Sequence, residues 1–168
     1  MTVGVARRSF HCLLLAAAAL AFALGLFGAT APAHAGTTVV NQTVYLSGGV
    51  AIKGYDPVAY FTMGKPVKGS EEFAHKWLGA NWQFASAEHR DTFAADPAKY
   101  APRYGGYCSK SIAEGYTADI KPQAWRIVDG KLYLLGSKRS LSLWEQDITG
   151  KIVSADANWP AIKALLAE

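Results

Sequence analysis

The sequence predicts a small α+β domain in which β-hairpins pack against short helices, and three stretches carry that expectation. "EFAHKWLGANWQFAS" alternates on both sides of "LGAN", with Phe73, His75 and Trp77 on one limb and Trp82 and Phe84 on the other. This is the two-residue period of strands with one face on a core. "SAEHRDTFAADP" opens on a residue suited to capping a helix, Ser86, and stops before Pro97, the start and stop signals of a helix over 87–95. "WRIVDGKLYLL" places Asp129-Gly130 between two β-prone runs, the strongest short hairpin signal.

In chain order, residues 1–35 read as a cleaved secretory signal. "MTVGVARRSFHC" carries two arginines and no acid, an apolar run follows from Leu13 to Gly28, and "ATAPAHA" ends with Ala33 and Ala35 flanking the cut. The apolar run is shorter than the roughly 20 residues a spanning helix needs. Cys12 precedes that run rather than the cleavage point, which argues against a lipid anchor. Arg7-Arg8-Ser9-Phe10 resembles the twin-arginine export signal, although paired arginines also occur in ordinary secretory signals. The expectation is a periplasmic protein that begins at Gly36 and keeps no membrane segment after cleavage.

Loss of the signal changes the charge. Arg7 and Arg8 leave with it, so 15 basic residues face 13 acidic ones and the net charge falls from +4 to +2. No basic stripe with interleaved aromatics remains, so nucleic-acid binding has no support. The remaining 133 residues (36–168) suit one domain with a real core. Their single cysteine, Cys108, has no partner for an internal disulfide.

Residues 36–50, β-branched at first and glycine-rich at the end, predict an N-terminal arm or strand, and the domain proper is expected over 51–168. In the 73–84 hairpin a four-residue turn sets Trp77 opposite Trp82 and His75 opposite Phe84. On the 87–95 helix His89 and Phe93 share a face at a spacing of four. A hairpin spans 125–135, Ser137 caps a helix through "KRSLSLWEQD", and "DANWPAIKALLAE" is the C-terminal helix. Trp77, Trp82, Phe84, Phe93, Trp125 and Leu134 are the expected core. Asp56, before Pro57, reads as a turn former.

"YGGYCSK" (104–110) raises the question of chemistry. Gly105 and Gly106 permit a turn that side chains would block, Tyr107 to Ala113 is helix-compatible, and Gly115 is placed to end it. Cys108 would then sit in a first helical turn, where unpaired N–H groups and the positive dipole end favour a thiolate, with Lys110 acting in the same direction. The alternative is a buried cysteine acting as a small hydrophobe. Tyr104 and Tyr107 could wall a small pocket beside the thiol.

"GYDPVAYF" (54–61), "WQFASAEHRDTFAADPAKYAPRYGGYCSK" (82–110), "WRIVDGKLYLLGS" and "LWEQDI" together resemble the exported YHS domain proteins. The resemblance runs from Ala51 to Trp159, and its specific part is the spacing of Phe84, Ser86, Phe93, Asp96-Pro97 and Tyr100. It implies a small α+β module suspected of binding metal, copper among the candidates, in a branch whose name allows for selenocysteine; Cys108 is the position for it. Metal-associated YHS domains carry cysteine where this chain has Ala59 and Ala85, so both of those thiols are missing here.

A metal site in this chain would have to be built around Cys108. His75 and His89, with Met63 as a weaker fourth candidate, complete the ligand types of a blue-copper centre, although nothing in their spacing requires them to converge. A Cys108–His89 pair would also suit thiol chemistry, but no substrate pocket or oxyanion loop accompanies it, and the reading leans away from an enzyme. Three function classes follow. The first is a periplasmic binding module that captures a metal ion, copper or another transition metal, or a small ligand near Cys108, with Tyr104, Gly105, Gly106, Tyr107 and Lys110 around it. The second is a thiol redox or sensor protein using Cys108. The third is an accessory domain that docks on an exported protein partner.

Overall fold

A computed structural model describes residues 43–168; the predicted signal, its cleavage point after Ala35 and the first residues of the predicted arm lie outside the described residues. The description begins at a small hairpin, β1 (Leu46–Ser47) and β2 (Val50–Ala51), closed by Gly48-Gly49 with φ of 61° and 81°. β2 then pairs in parallel with β4 (Ala80–Phe84), and β4 pairs antiparallel with β3 (Ser70–Trp77), giving the order β1-β2-β4-β3. Of the expected arm or strand, residues 43–50 contribute strand: β1 and the start of β2 lie here, Val44 is buried, and the Tyr45 N–H donates to the Gly105 carbonyl at 2.9 Å.

The 73–84 hairpin forms with a register different from the expected one. Its turn is two residues, Leu78-Gly79, with φ of 47° and 75°. Trp77 consequently faces Ala80 and His75 faces Trp82, where a four-residue turn had put Trp82 and Phe84. Positive φ at both central residues matches the right-handed twist of the strands and closes the hairpin more tightly. A shift of two residues leaves every side chain on its face, so the aromatic face survives the correction.

Helix α1 (Ala59–Thr62) precedes the sheet hairpin, and α2 (Ala87–Ala95) follows it, capped by the Ser86 hydroxyl, which accepts from the His89 N–H at 3.2 Å. Phe93, 0% exposed, lies within 5.1–5.7 Å, centroid to centroid, of the rings of Phe84, Trp82 and Trp77. α3 (Pro97–Tyr100) starts on Pro97 with Asp96 as its cap, and α4 (Ser109–Ala113) follows the turn at 103–106.

The hairpin of β5 (Trp125–Val128) and β6 (Lys131–Leu134) turns at Asp129-Gly130 as expected. Ser137 caps α5 (Lys138–Glu145), accepting from the Ser140 N–H at 2.9 Å. α6 is longer than the sequence indicated: it runs Ile148–Leu165, capped by Asp147 and carrying Pro160 inside. Trp144 of α5 packs on Tyr133 of β6 at 5.3 Å, and Trp125 is half-buried against Tyr60 at 5.1 Å. The expected α+β class, with hairpins against short helices, is the observed one. Among the described residues no helix is long and apolar enough to cross a membrane.

Candidate functional site

Cys108 stands at the N-cap of α4, as the glycine-led turn suggested, but its thiol is 2% exposed and belongs to the core. The Gly136 N–H donates to its Sγ at 3.2 Å, tying the start of α4 to the junction of β6 and α5. The hydrogen-bond partner of Lys110 is Glu114, whose two carboxylate oxygens hold its ammonium at 2.6 and 2.7 Å. That hydrogen bond is also what raises the Lys110 pKa and lowers that of Glu114. The pair is a spacing-of-four helix contact, readable in the sequence.

The other candidate ligands point elsewhere. His75 lies edge-on to Phe93 with centroids 6.1 Å apart. Met63, at the end of α1, is 49% exposed. His89 is engaged on both ring nitrogens, Nδ1 with the Asp56 carboxylate at 2.5 Å and Nε2 with the Thr62 hydroxyl at 3.2 Å. Among the described residues no three His, Cys, Asp or Glu side chains gather into a group that could hold a metal ion. Among the described residues Cys108, His89 and His75 therefore do not gather into such a group, and Met63 stands exposed at the end of α1.

Asp56 has a larger role than forming a turn. It is 0% exposed and accepts four hydrogen bonds: from the Val58 and Ala59 N–H groups at 2.8 and 3.2 Å on Oδ1, and from the Ala85 N–H at 2.9 Å and His89 Nδ1 on Oδ2. A buried carboxylate is tolerable only when paired and hydrogen-bonded in this way. It joins the start of α1, the end of β4 and α2, and so joins the two segments "GYDPVAYF" and "WQFASAEH". Ala59 and Ala85 both meet Asp56 through their backbone N–H.

The turn at 103–106 builds something different. Tyr104, Gly105 and Gly106 have successive φ of 55°, 62° and 87°. A Cβ on Gly105 would stand 1.9 Å from the Thr43 carbonyl oxygen and one on Gly106 2.6 Å from Ile52 Cγ2, so only glycine permits this approach. Tyr104, not a glycine, is held in the left-handed region by its hydroxyl, which donates to Asp156 at 3.0 Å, and by its ring against Trp159 at 5.9 Å. Burial first, and Asp156 second, push its phenol above the ordinary range.

Beside this turn lies a cleft of about 130 Å³ lined by Trp77, Trp82, Trp159, Gly105, Thr43 and Lys163, among others. Trp82 is almost fully buried and its indole N–H donates to the Trp77 carbonyl at 3.2 Å. Trp159 comes from α6, where it also meets Tyr107 at 6.5 Å. Lys163 follows it at a spacing of four, which places both on one side of the helix. Of the pocket residues expected from the sequence, only Gly105 lines this cleft; Tyr104 and Tyr107 support it from behind through Trp159, and Gly106 and Lys110 take no part. Trp159 and Lys163 were the residues sequence reasoning passed over, although their spacing within "NWPAIK" was visible. The lining contains no thiol, imidazole or carboxylate, and its ionisable side chain is the Lys163 ammonium. The chain matches no family model, no curated protein and no solved structure.

Proposed function

We propose that this chain is an exported, periplasmic binding module of the YHS type, and that it holds a small single-ring ligand in the tryptophan cleft beside the Gly105 turn. The observation that carries this reading is the lining itself: three indoles from β3, β4 and α6 converge around about 130 Å³ without a thiol, imidazole or carboxylate among them. Ligand sites are typically concave and aromatic, with few polar groups, and a cavity on the order of 150 Å³ accepts a benzene-sized ring. The ligand is held by the indoles rather than by Cys108, and the module acts by capture rather than by turnover.

Benzamide, a neutral single-ring probe, tests the reading by nuclear magnetic resonance of the indole N–H groups. Saturable shifts at Trp77 and Trp159, with Trp125 and Trp144 unmoved, are expected. Trp159→Leu, which keeps apolar bulk, should weaken the shifts. Absence of saturable shifts, or equal shifts at all five tryptophans, would overturn it.

A further inference from the structure

We infer that the ligand of the cleft is an aromatic carboxylate, its ring among the indoles and its anion on Lys163; this rests on the cleft reading above. The cleft presents one uncompensated charge. Asp156, on the same helix, is already neutralised by the Arg103 guanidinium at 2.9 Å and bonded by the Tyr104 hydroxyl at 3.0 Å. Lys163 lines the cleft and has no carboxylate partner among the described residues. The indole N–H groups of Trp77 and Trp159 likewise donate to no described residue. The cleft therefore offers indole side chains and a cation with no competing acid in the lining. Indole faces favour flat, polarisable rings in offset or edge-on contact, and the size of the space limits the ligand to about one ring. A single charged group at such a rim confers orientation and selectivity more than raw affinity.

A lysine in the last turn of a helix also complements the helix dipole, a purely structural role, so the test must separate the two. Benzoate and benzamide have nearly the same shape and differ in charge. Benzoate should bind about fivefold more tightly, the scale of an exposed ion pair, and added salt should shrink that margin. Lys163→Met should erase the margin while leaving benzamide binding unchanged, and Lys163→Arg should restore it. Cyclohexanecarboxylate, charged but without a π-face, should bind more weakly than benzoate. Equal binding of benzoate and benzamide, or a margin that survives Lys163→Met, would overturn the anion assignment while the cleft reading stands. Equal binding of benzoate and cyclohexanecarboxylate would overturn the aromatic part. If neither ring probe moves the Trp77 and Trp159 signals, the cleft reading itself falls.

Discussion

Removing the Asp56 carboxylate should be among the most damaging single changes in this domain. Asp56→Ala leaves three backbone N–H groups, the buried ones of Val58 and Ala59 and the part-buried one of Ala85, without their acceptor. It also leaves His89 Nδ1 without its partner. An orphaned buried donor costs about 1 to 3 kcal/mol, and removing one member of a buried pair about 3 to 5 kcal/mol. These are not additive, since the α1 turn can relax and water can enter the space, so about 4 to 6 kcal/mol is expected. That is a large share of the roughly 5 to 15 kcal/mol by which domains are stable. Asp56→Asn retains an oxygen for the Val58 and Ala59 N–H groups but turns an amide toward Ala85 and His89, and should cost less, about 2 to 4 kcal/mol. Urea unfolding followed by tryptophan fluorescence reads both values, with an unchanged m-value showing that stability alone moved. A double-mutant cycle with His89→Gln should give a coupling of about 1 to 3 kcal/mol. An Asp56→Ala cost below about 1 kcal/mol, or no coupling to His89, would refute the claim that this carboxylate joins the three elements.

Phe93→Ala should cost about 3 to 5 kcal/mol, as truncation of a fully buried aromatic does, because the ring touches Trp77, Trp82 and Phe84; a cost near zero by urea unfolding would contradict the packing. Cys108, 2% exposed, should alkylate slowly at pH 6 and pH 9 alike and become reactive only when the chain unfolds. Rapid modification of the native protein at pH 6 would restore the exposed-thiolate reading. Asp119 has its pKa lowered first by Lys53 and second by the Tyr45 hydroxyl. A carboxylate held down in this way contributes stability above its unfolded pKa, near 3.9, and loses it as pH falls through the folded value. Thermal unfolding of the parent and Asp119→Asn should therefore differ at neutral pH and converge in acid below about pH 4; a gap of constant size would exclude the ionised carboxylate as its source.

The features legible in the sequence are those encoded over a few neighbouring residues. Ser86 and Ser137 announce their helices because the capping hydroxyl and the N–H it accepts from lie three residues apart. Asp129-Gly130 announces its hairpin because the pair readily takes positive φ. The placement of Cys108 at a helix start likewise follows from two adjacent glycines. Where local chemistry was ambiguous, tertiary structure decided. Leu78 is no signal for a left-handed turn, yet packing of the aromatic face selects Leu78-Gly79 over a wider loop. Gly150 and Pro160 disguise α6, which is helical because Ala155 and Ile162 are buried against the core. The burial of Cys108 depends on Gly136, 28 positions away, and the setting of Asp56 on Ala85 and His89, 29 and 33 positions on. The cleft gathers residues from Thr43 to Lys163. No composition or period relates such positions, because their distance is set by how β4, α2 and α6 pack together.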